Sequence, residues 1–167
     1  MTPTWTIERG VDEDAEAIMS LLEGIFAEYG CQLDPIIDSV AHYRPQTRYW
    51  DHGGAFFVAR DRERRLIGTV AVHPNDAPAT GQVRTMYLAR TWRGSGLAQE
   101  LMRRVLSWCA DHALSRLELW SDTRFTRGHA FYRRLGFTQT ERRRLLHDIN
   151  DTEEFHFEAD IAALTLA

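Results

Sequence analysis

The stretch Arg93-Gly94-Ser95-Gly96-Leu97-Ala98 lies between a strand-like run, Val83 to Leu88, and a helix-periodic run, and it restricts the fold more than any other part of the chain. Paired glycines let a backbone approach a ligand with no Cβ in the way. A helix that begins at such a turn aims unpaired N–H groups and a partial positive charge into it, which suits a phosphate. Spacing excludes two familiar phosphate turns. A P-loop requires Lys and then Ser or Thr after its last glycine, where this chain has Leu97 and Ala98. A dinucleotide-binding Gly-x-Gly-x-x-Gly requires a third glycine where Gln99 stands. What remains is Arg-x-x-Gly-x-Ala joining a strand to a helix.

The rest of the chain sorts by periodicity. Thr4 to Ile7 reads as a first strand, and Asp12 is placed to cap a helix whose stripe is Ile18, Leu21, Leu22, Ile25, Phe26 and Tyr29, with Gly30 as its stop. Asp34-Pro35 opens a second, shorter helix holding Ile36, Ile37 and Val40 and ending before Pro45. Ala55 to Arg60 and Leu66 to Val72 read as an antiparallel pair about a charged turn, and His73 at the end of that pair is read as structural. From Ala98 a helix carries Leu101, Met102, Val105, Leu106, Cys109 and Ala113 on one face. Leu117 to Ser121 alternates as a strand, Thr126 to Leu135 is helical up to a Gly136 cap, and Arg143 to Asp148 and Glu153 to Asp160 close the chain as two strands.

Downstream of the glycine turn, Ala130-Phe131-Tyr132-Arg133-Arg134-Leu135-Gly136-Phe137 follows at the separation of one helix and one strand. Together the two segments resemble the GNAT acyltransferase superfamily, whose acetyl-coenzyme A signature is Gln/Arg-x-x-Gly-x-Gly/Ala and whose later segment is Leu-Tyr-x-x-x-Gly-Phe. The resemblance spans Val83 to Phe137. It implies an α/β (α+β) fold, a mixed, mostly antiparallel sheet of about seven strands flanked by helices. That sheet splays between its fourth and fifth strands, here Val83–Leu88 and Leu117–Ser121, to admit the pantetheine arm of the cofactor.

The resemblance also implies roles. Backbone groups of Met86 and Leu88 pair with pantetheine, and the N–H groups of Gly94, Ser95, Gly96, Leu97 and Ala98 cradle the diphosphate while Arg93 adds charge. Arg90, Arg127 and Arg133 are candidates for the remaining phosphate of coenzyme A. Tyr132 takes the place of the family's general acid. Acetyl transfer to an amine needs a deprotonated nucleophile, donors for the developing oxyanion and a proton for the departing thiolate. The fourth strand offers no carboxylate between Gly81 and Leu88, so the base falls to water, to a remote group, or to Glu118 or Asp122. The chain departs from the family at Phe125 and Gly128, where an asparagine and an alanine are usual, which puts side-chain contacts to the cofactor there in doubt. His129, one turn before Tyr132, either orients a neighbour or touches ligand. Tyr49 and Trp50, in an aromatic and polar stretch from His42 to His52, either line a substrate pocket or pack as a lid-like loop; Arg84 and Trp120 flank the splay as substrate contacts.

The expected activity is direct transfer, in a ternary complex, from acetyl-coenzyme A to a primary amine on a small molecule or peptide. The rivals are a catalytically silent GNAT-like module that binds coenzyme A, and a structural domain without cofactor. At 167 residues the chain suits one domain, 1–167, with a sizeable core. Its 24 acidic and 20 basic side chains give a formal charge of −4, and its longest basic run is Arg142-Arg143-Arg144, which excludes wholesale nucleic-acid binding. No bilayer-length apolar run or signal-peptide pattern occurs. Cys31 and Cys109 have neither zinc nor disulfide spacing, so no metal is expected and a cytoplasmic protein is. A homodimer is among the assemblies allowed.

Overall fold

Strands with both faces apolar need cover on both sides, and the two central runs of this chain obtain it from two amphipathic helices. The computed structural model describes residues 4–166. Its strands are β1 (Trp5–Arg9), β2 (Ala55–Asp61), β3 (Leu66–Pro74), β4 (Thr80–Leu88), β5 (Arg116–Asp122), β6 (Thr138–Leu145) and β7 (Glu153–Asp160). The helices are α1 (Ala15–Glu28), a single turn α2 (Pro45–Arg48), α3 (Leu97–Asp111) and α4 (Thr126–Leu135). One seven-stranded sheet runs β1-β2-β3-β4-β5-β7-β6, antiparallel at every step except β4 to β5. That parallel step requires a crossover, which α3 supplies. The expected mixed, mostly antiparallel architecture is therefore present.

Alternation along β2 and β3 divides the core. Phe56, Val58 and Ala71 face Ile18 and Leu22 of α1, whereas Ala55, Ala59, Val70 and Val72 face Leu101, Met102 and Val105 of α3. Each fully buried Leu or Val contributes about 1.5–3 kcal/mol of transfer free energy, so the α3 stripe fixes the start of that helix, and with it the glycine turn, against the sheet. Trp108, absent from the expected stripe, is buried with it. Gly30, at φ +70°, closes α1 as expected, with the Cys31 N–H donating to the Phe26 carbonyl.

Four local expectations are corrected. Residues 34–38 form no helix: the Asp34 carboxylate accepts the N–H groups of Ile36 and Ile37, an Asx arrangement that competes with helical bonding, and Ile36 is left 79% exposed. Pro45, read as a terminator, starts α2 instead. Asp12 does not cap α1. Its carboxylate accepts the Thr47 N–H and hydroxyl, while Asp14 accepts the N–H of Val11. Strand β6 also begins earlier than expected, at Thr138, and ends at Leu145.

The parallel step is short. Thr80 to Val83 pair with Arg116 to Leu119, and beyond Val83 the strands part. At that point β4 carries a bulge, with Thr85 at φ +50° and its carbonyl held by the Thr69 hydroxyl at 2.7 Å. The Ala89 N–H donates to Ile67 of β3, and alternation along an antiparallel edge turns the N–H groups of Met86 and Leu88 the opposite way, into the opening.

Candidate active site

Two cavities meet in the opening between β4 and β5. The first, of about 430 Å³, is walled by the expected cofactor residues Met86, Leu88, Arg93, Gly94 and Ala98, and by the α4 face that carries Arg127, Phe131 and Arg134. The second, of about 550 Å³, is lined by the 37–52 loops, the end of β3, much of β4, and the 144–154 segment. Met86, Tyr87, Ser121, Phe125 and Tyr132 line both and form the neck between them.

The glycine turn is built as a donor cradle. Gly94 and Gly96 sit at φ +75° and +85°, and a Cβ on either would meet no atom within 4 Å, so glycine is required by backbone conformation rather than by crowding. The first backbone bond of α3 runs from the Glu100 N–H to the Gly96 carbonyl; ahead of it the Leu97 N–H donates to the Ser95 hydroxyl at 3.4 Å, and of the expected turn residues Ser95, Gly96 and Leu97 are not among those lining the cavity. The Ser95 hydroxyl donates to the Trp92 carbonyl at 2.7 Å and stiffens the turn, and the fully buried Leu97 side chain pins it to the core.

The arginines divide. The Arg93 guanidinium makes a fork to both Glu28 oxygens at 2.7 and 3.1 Å, so it ties α1 to the turn and brings little free charge. Arg133 is held by Gln139 at 2.6 Å, and Arg90 is not among the lining residues. Arg127 lines the cofactor cavity, and so does Arg134, to which the sequence analysis assigns no role.

Tyr132 is buried, with its ring edge-on to Phe137 at 5.8 Å and tilted against Phe157 at the same distance. Burial raises the pKa of its phenol above the ordinary value near 10, which keeps the hydroxyl protonated. Tyr87, also at the neck, is shifted in the same direction by burial and then by Tyr132, Asp38, Glu154 and Asp122. His129 does not reach ligand: its Nε2 lies 2.9 Å from the Asp122 carbonyl and 3.1 Å from the Ser121 hydroxyl. A carbonyl only accepts, so Nε2 carries the proton, and burial lowers the ring's pKa. The histidine thus fastens α4 to β5 one turn ahead of Tyr132.

Neither carboxylate named as a base is free. Asp122 is forked to Arg124 at 2.8 and 2.9 Å; Glu118 lies off the cavities, held by His156 at 2.9 Å and Gln82 at 3.1 Å, and these bonds take its pKa down against the opposing effect of burial. Tyr49, Arg84 and Trp120 line the second cavity. Trp50 does not: its indole N–H donates to the Gly10 carbonyl and its ring packs on Phe57 and under Arg9. Phe125, where the family usually has asparagine, packs at a tilt against Tyr29 at 4.8 Å and Phe26 at 5.9 Å and adds an apolar ring to the neck. Among the described residues no group of three or more His, Cys, Asp or Glu is arranged to hold a metal, and no helix is long and apolar enough to cross a membrane.

The model of the acetyltransferase (GNAT) family matches residues 17–137. The chain is 26% identical over 144 residues to aminoglycoside N(6')-acetyltransferase type 1 of Stenotrophomonas maltophilia, covering 82% of this chain and 88% of that one. A GNAT-family acetyltransferase of Staphylococcus aureus Mu50 superposes with a TM-score of 0.81 at 16% identity, covering 94% of this chain and 99% of that one. yncA of Salmonella typhimurium, solved with its cofactor acetyl-CoA, superposes with a TM-score of 0.69 at 14% identity over 95% of each chain.

Proposed function

The chain belongs to the GNAT acetyltransferase family and is an acetyl-coenzyme A-dependent N-acetyltransferase, and from that premise we propose how its own residues divide the work. The observation that carries the proposal is the shared neck. Tyr132 lines both the cavity beside the glycine turn and the second cavity, so one side chain reaches both reactants. The residues fit the cofactor: left-handed glycines ahead of a helix start receive the diphosphate, the outward N–H groups of Met86 and Leu88 receive amide carbonyls, and Arg127 and Arg134 meet the remaining phosphate. Acetyl-coenzyme A supplies an activated acetyl group on a thiol leaving group.

Direct transfer in a ternary complex follows from the two cavities meeting. The bulge at Thr85 turns β4 so that the Met86 N–H faces the neck as an oxyanion donor. Tyr132 gives its proton to the departing sulfur. A thiol with a pKa near 8.5 is a stronger acid than a phenol near 10, and burial widens that difference, so the proton moves only as the carbon–sulfur bond breaks. With Asp122 and Glu118 both engaged, water in the larger cavity carries away the proton of the amine. The whole chain acts as one domain, and we place it in the cytoplasm because both cysteines, Cys31 and Cys109, are buried free thiols.

Calorimetry with acetyl-coenzyme A, followed by a thiol-release assay across an amine library, tests this reading. Binding together with release supports it. Binding with no release from any amine would make the protein a silent coenzyme A-binding module.

A further inference from the structure

The lining of the acceptor cavity includes a pair of bare hydrogen-bond acceptors. One is His73, near the end of β3, which the sequence reads as structural, yet its ring makes a single bond: Nδ1 lies 2.7 Å from the carbonyl of Pro74, its neighbour in the chain. A carbonyl accepts and cannot donate, so Nδ1 carries the proton, and in the neutral ring Nε2 holds a lone pair. That Nε2 is buried and, among the described residues, is the one buried side-chain nitrogen or oxygen with no hydrogen-bond partner. A buried acceptor left bare costs free energy until a donor reaches it.

Gln82 stands beside it. Val70 and Val72 face α3 and Ala71 faces α1, so alternation turns His73 to the α1 side of the sheet, and Val83, in the α3 core, puts Gln82 on that same side. The two residues are paired across the β3–β4 ladder; both line the acceptor cavity and neither lines the cofactor cavity. The Gln82 amide nitrogen donates to Glu118 at 3.1 Å, which leaves the amide oxygen as a second acceptor, with no donor on it among the described residues. Opposite residues of an antiparallel pair hold their Cβ atoms about 5 Å apart, so one ligand group can meet both. Gln82 precedes Met86 by two strand repeats on β4, roughly 13 Å at strand rise and somewhat less across the bulge. His73 and Gln82 therefore do not touch an amine poised at the neck. They face a part of the acceptor that lies away from it.

We propose that the acceptor is an amine with a second hydrogen-bond donor, a hydroxyl or amino group, at its other end, and that His73 Nε2 together with Gln82 Oε1 selects it by accepting from that group. A site built on buried polar acceptors rejects an analogue that lacks the donor far more strongly than an apolar pocket rejects a missing methylene, because the acceptors are then left bare. His73 is thus a specificity residue, and the proton transfers at the neck do not pass through it. This inference rests on the acetyltransferase reading and adds the class of amine.

The test uses straight-chain primary amines of increasing length, each ending in a hydroxyl or an amino group, beside the methyl ether of the same length as control. Thiol release from acetyl-coenzyme A is measured, and in parallel the coenzyme A-loaded protein is titrated calorimetrically with the same compounds. The expected result is a length beyond which the donor-ended amines exceed their ethers in kcat/KM by about tenfold or more, with no difference among the shortest chains. His73→Phe should erase that difference through KM with the affinity for acetyl-coenzyme A kept, and His73→Gln, which restores an acceptor oxygen, should regain part of it. A difference that persists in His73→Phe, or that is lost equally in both variants, overturns the assignment to His73. Nitrogen NMR reads the contact without a variant: the His73 Nε2 resonance of the coenzyme A-loaded protein should move with the hydroxyl-ended amine and not with its ether, and equal movement overturns the proposal. Equal turnover and equal binding of donor-ended amines and ethers overturn it and leave the acetyltransferase reading standing. Tighter binding of the donor-ended amines with no thiol released from any compound supports it and defeats the transfer reading. Neither binding nor release with any compound overturns the proposal.

Discussion

The two cavities that meet at Tyr132 are made in different ways. The cofactor side is assembled from neighbours in sequence: β4, the glycine turn and α3 run without a break from Thr80 to Asp111, and α4 follows after one strand. The acceptor side is assembled from pieces of chain more than a hundred residues apart, joined by side-chain hydrogen bonds such as the one from the Ile149 N–H to Asp34 and the pair between Asn150 and Gln32. The first is a site made by secondary structure, with backbone donors at a helix start and a strand edge. The second is made by side chains on loops, which can change without disturbing the sheet. A constant cofactor and a variable acceptor are what such a division allows.

Changes on the cofactor side or at the neck should break catalysis or cofactor binding, and changes on the acceptor side should move acceptor affinity alone. Tyr132→Phe, at the neck, should have the largest effect: removing only the hydroxyl should lower kcat by roughly 10²–10⁴-fold with acetyl-coenzyme A affinity kept. Turnover at the parent rate, with chemistry shown to be rate-limiting, would reduce Tyr132 to a packing residue.

Gly96→Val should come next. The position is at φ +85° with nothing near a Cβ, so the cost is backbone strain of about 1–2 kcal/mol, with the turn relaxing away from its donor geometry. Coenzyme A affinity should fall by about tenfold or more, equivalent to ~1.4 kcal/mol, read by calorimetry on folded variant. An unchanged affinity would detach the turn from the diphosphate.

Asp34→Ala sharpens the contrast from the other side. Three backbone N–H groups, from Ile37, Ile149 and Ile36, hold this carboxylate below its ordinary pKa, and removing it unties the two loops around the acceptor cavity. The KM for acceptor should rise by roughly three- to tenfold, at most about 1.4 kcal/mol, while acetyl-coenzyme A binding stays within error. A parallel loss of cofactor affinity would show that the two sides are coupled through the sheet.

The smallest effect concerns His129. Its folded-state pKa is depressed below the ordinary value of 6.5, chiefly by desolvation, so the unfolded chain takes up a proton first as pH falls. The stability that the neutral ring contributes is fully present above about pH 6.5 and is lost as pH falls below that towards the folded value. In urea unfolding, the advantage of the wild type over His129→Gln should therefore shrink between about pH 7.5 and about pH 5.5. An advantage that grows on acidification would mean that the folded ring is charged.

What could be read from the sequence follows the same division. Gly94, Gly96 and Gly136 are legible because each sits at a helix end, whereas Tyr132, Met86 and Leu88 are singled out by the resemblance of their segments to the family, and their roles are proposals. The segment from Asp34 to Val40 was misread as a helix. Its Ile36, Ile37 and Val40 spacing is helical, but the side chain of Asp34 offers the backbone a competing set of bonds that periodicity does not register. Trp50 looked like its neighbour Tyr49, yet one faces Gly10 and the other the acceptor cavity, because a 3-10 turn from Trp50 to His52 begins between them. The pairing of Arg93 with Glu28 and of Asp122 with Arg124 depends on side-chain placement, and no motif announces it.

The parting of β4 from β5 after Val83 gives this sheet an edge in its middle. An outer edge invites another chain to add itself, and proteins blunt such edges with charge, proline or a covering helix. Here the exposed rungs are few, and Tyr87, Phe125 and Tyr132 narrow the slot from the sides. An edge this short offers another chain few rungs to pair with, while a slender, unbranched ligand bearing its own amide groups needs only those few to lie against it as a short surrogate strand.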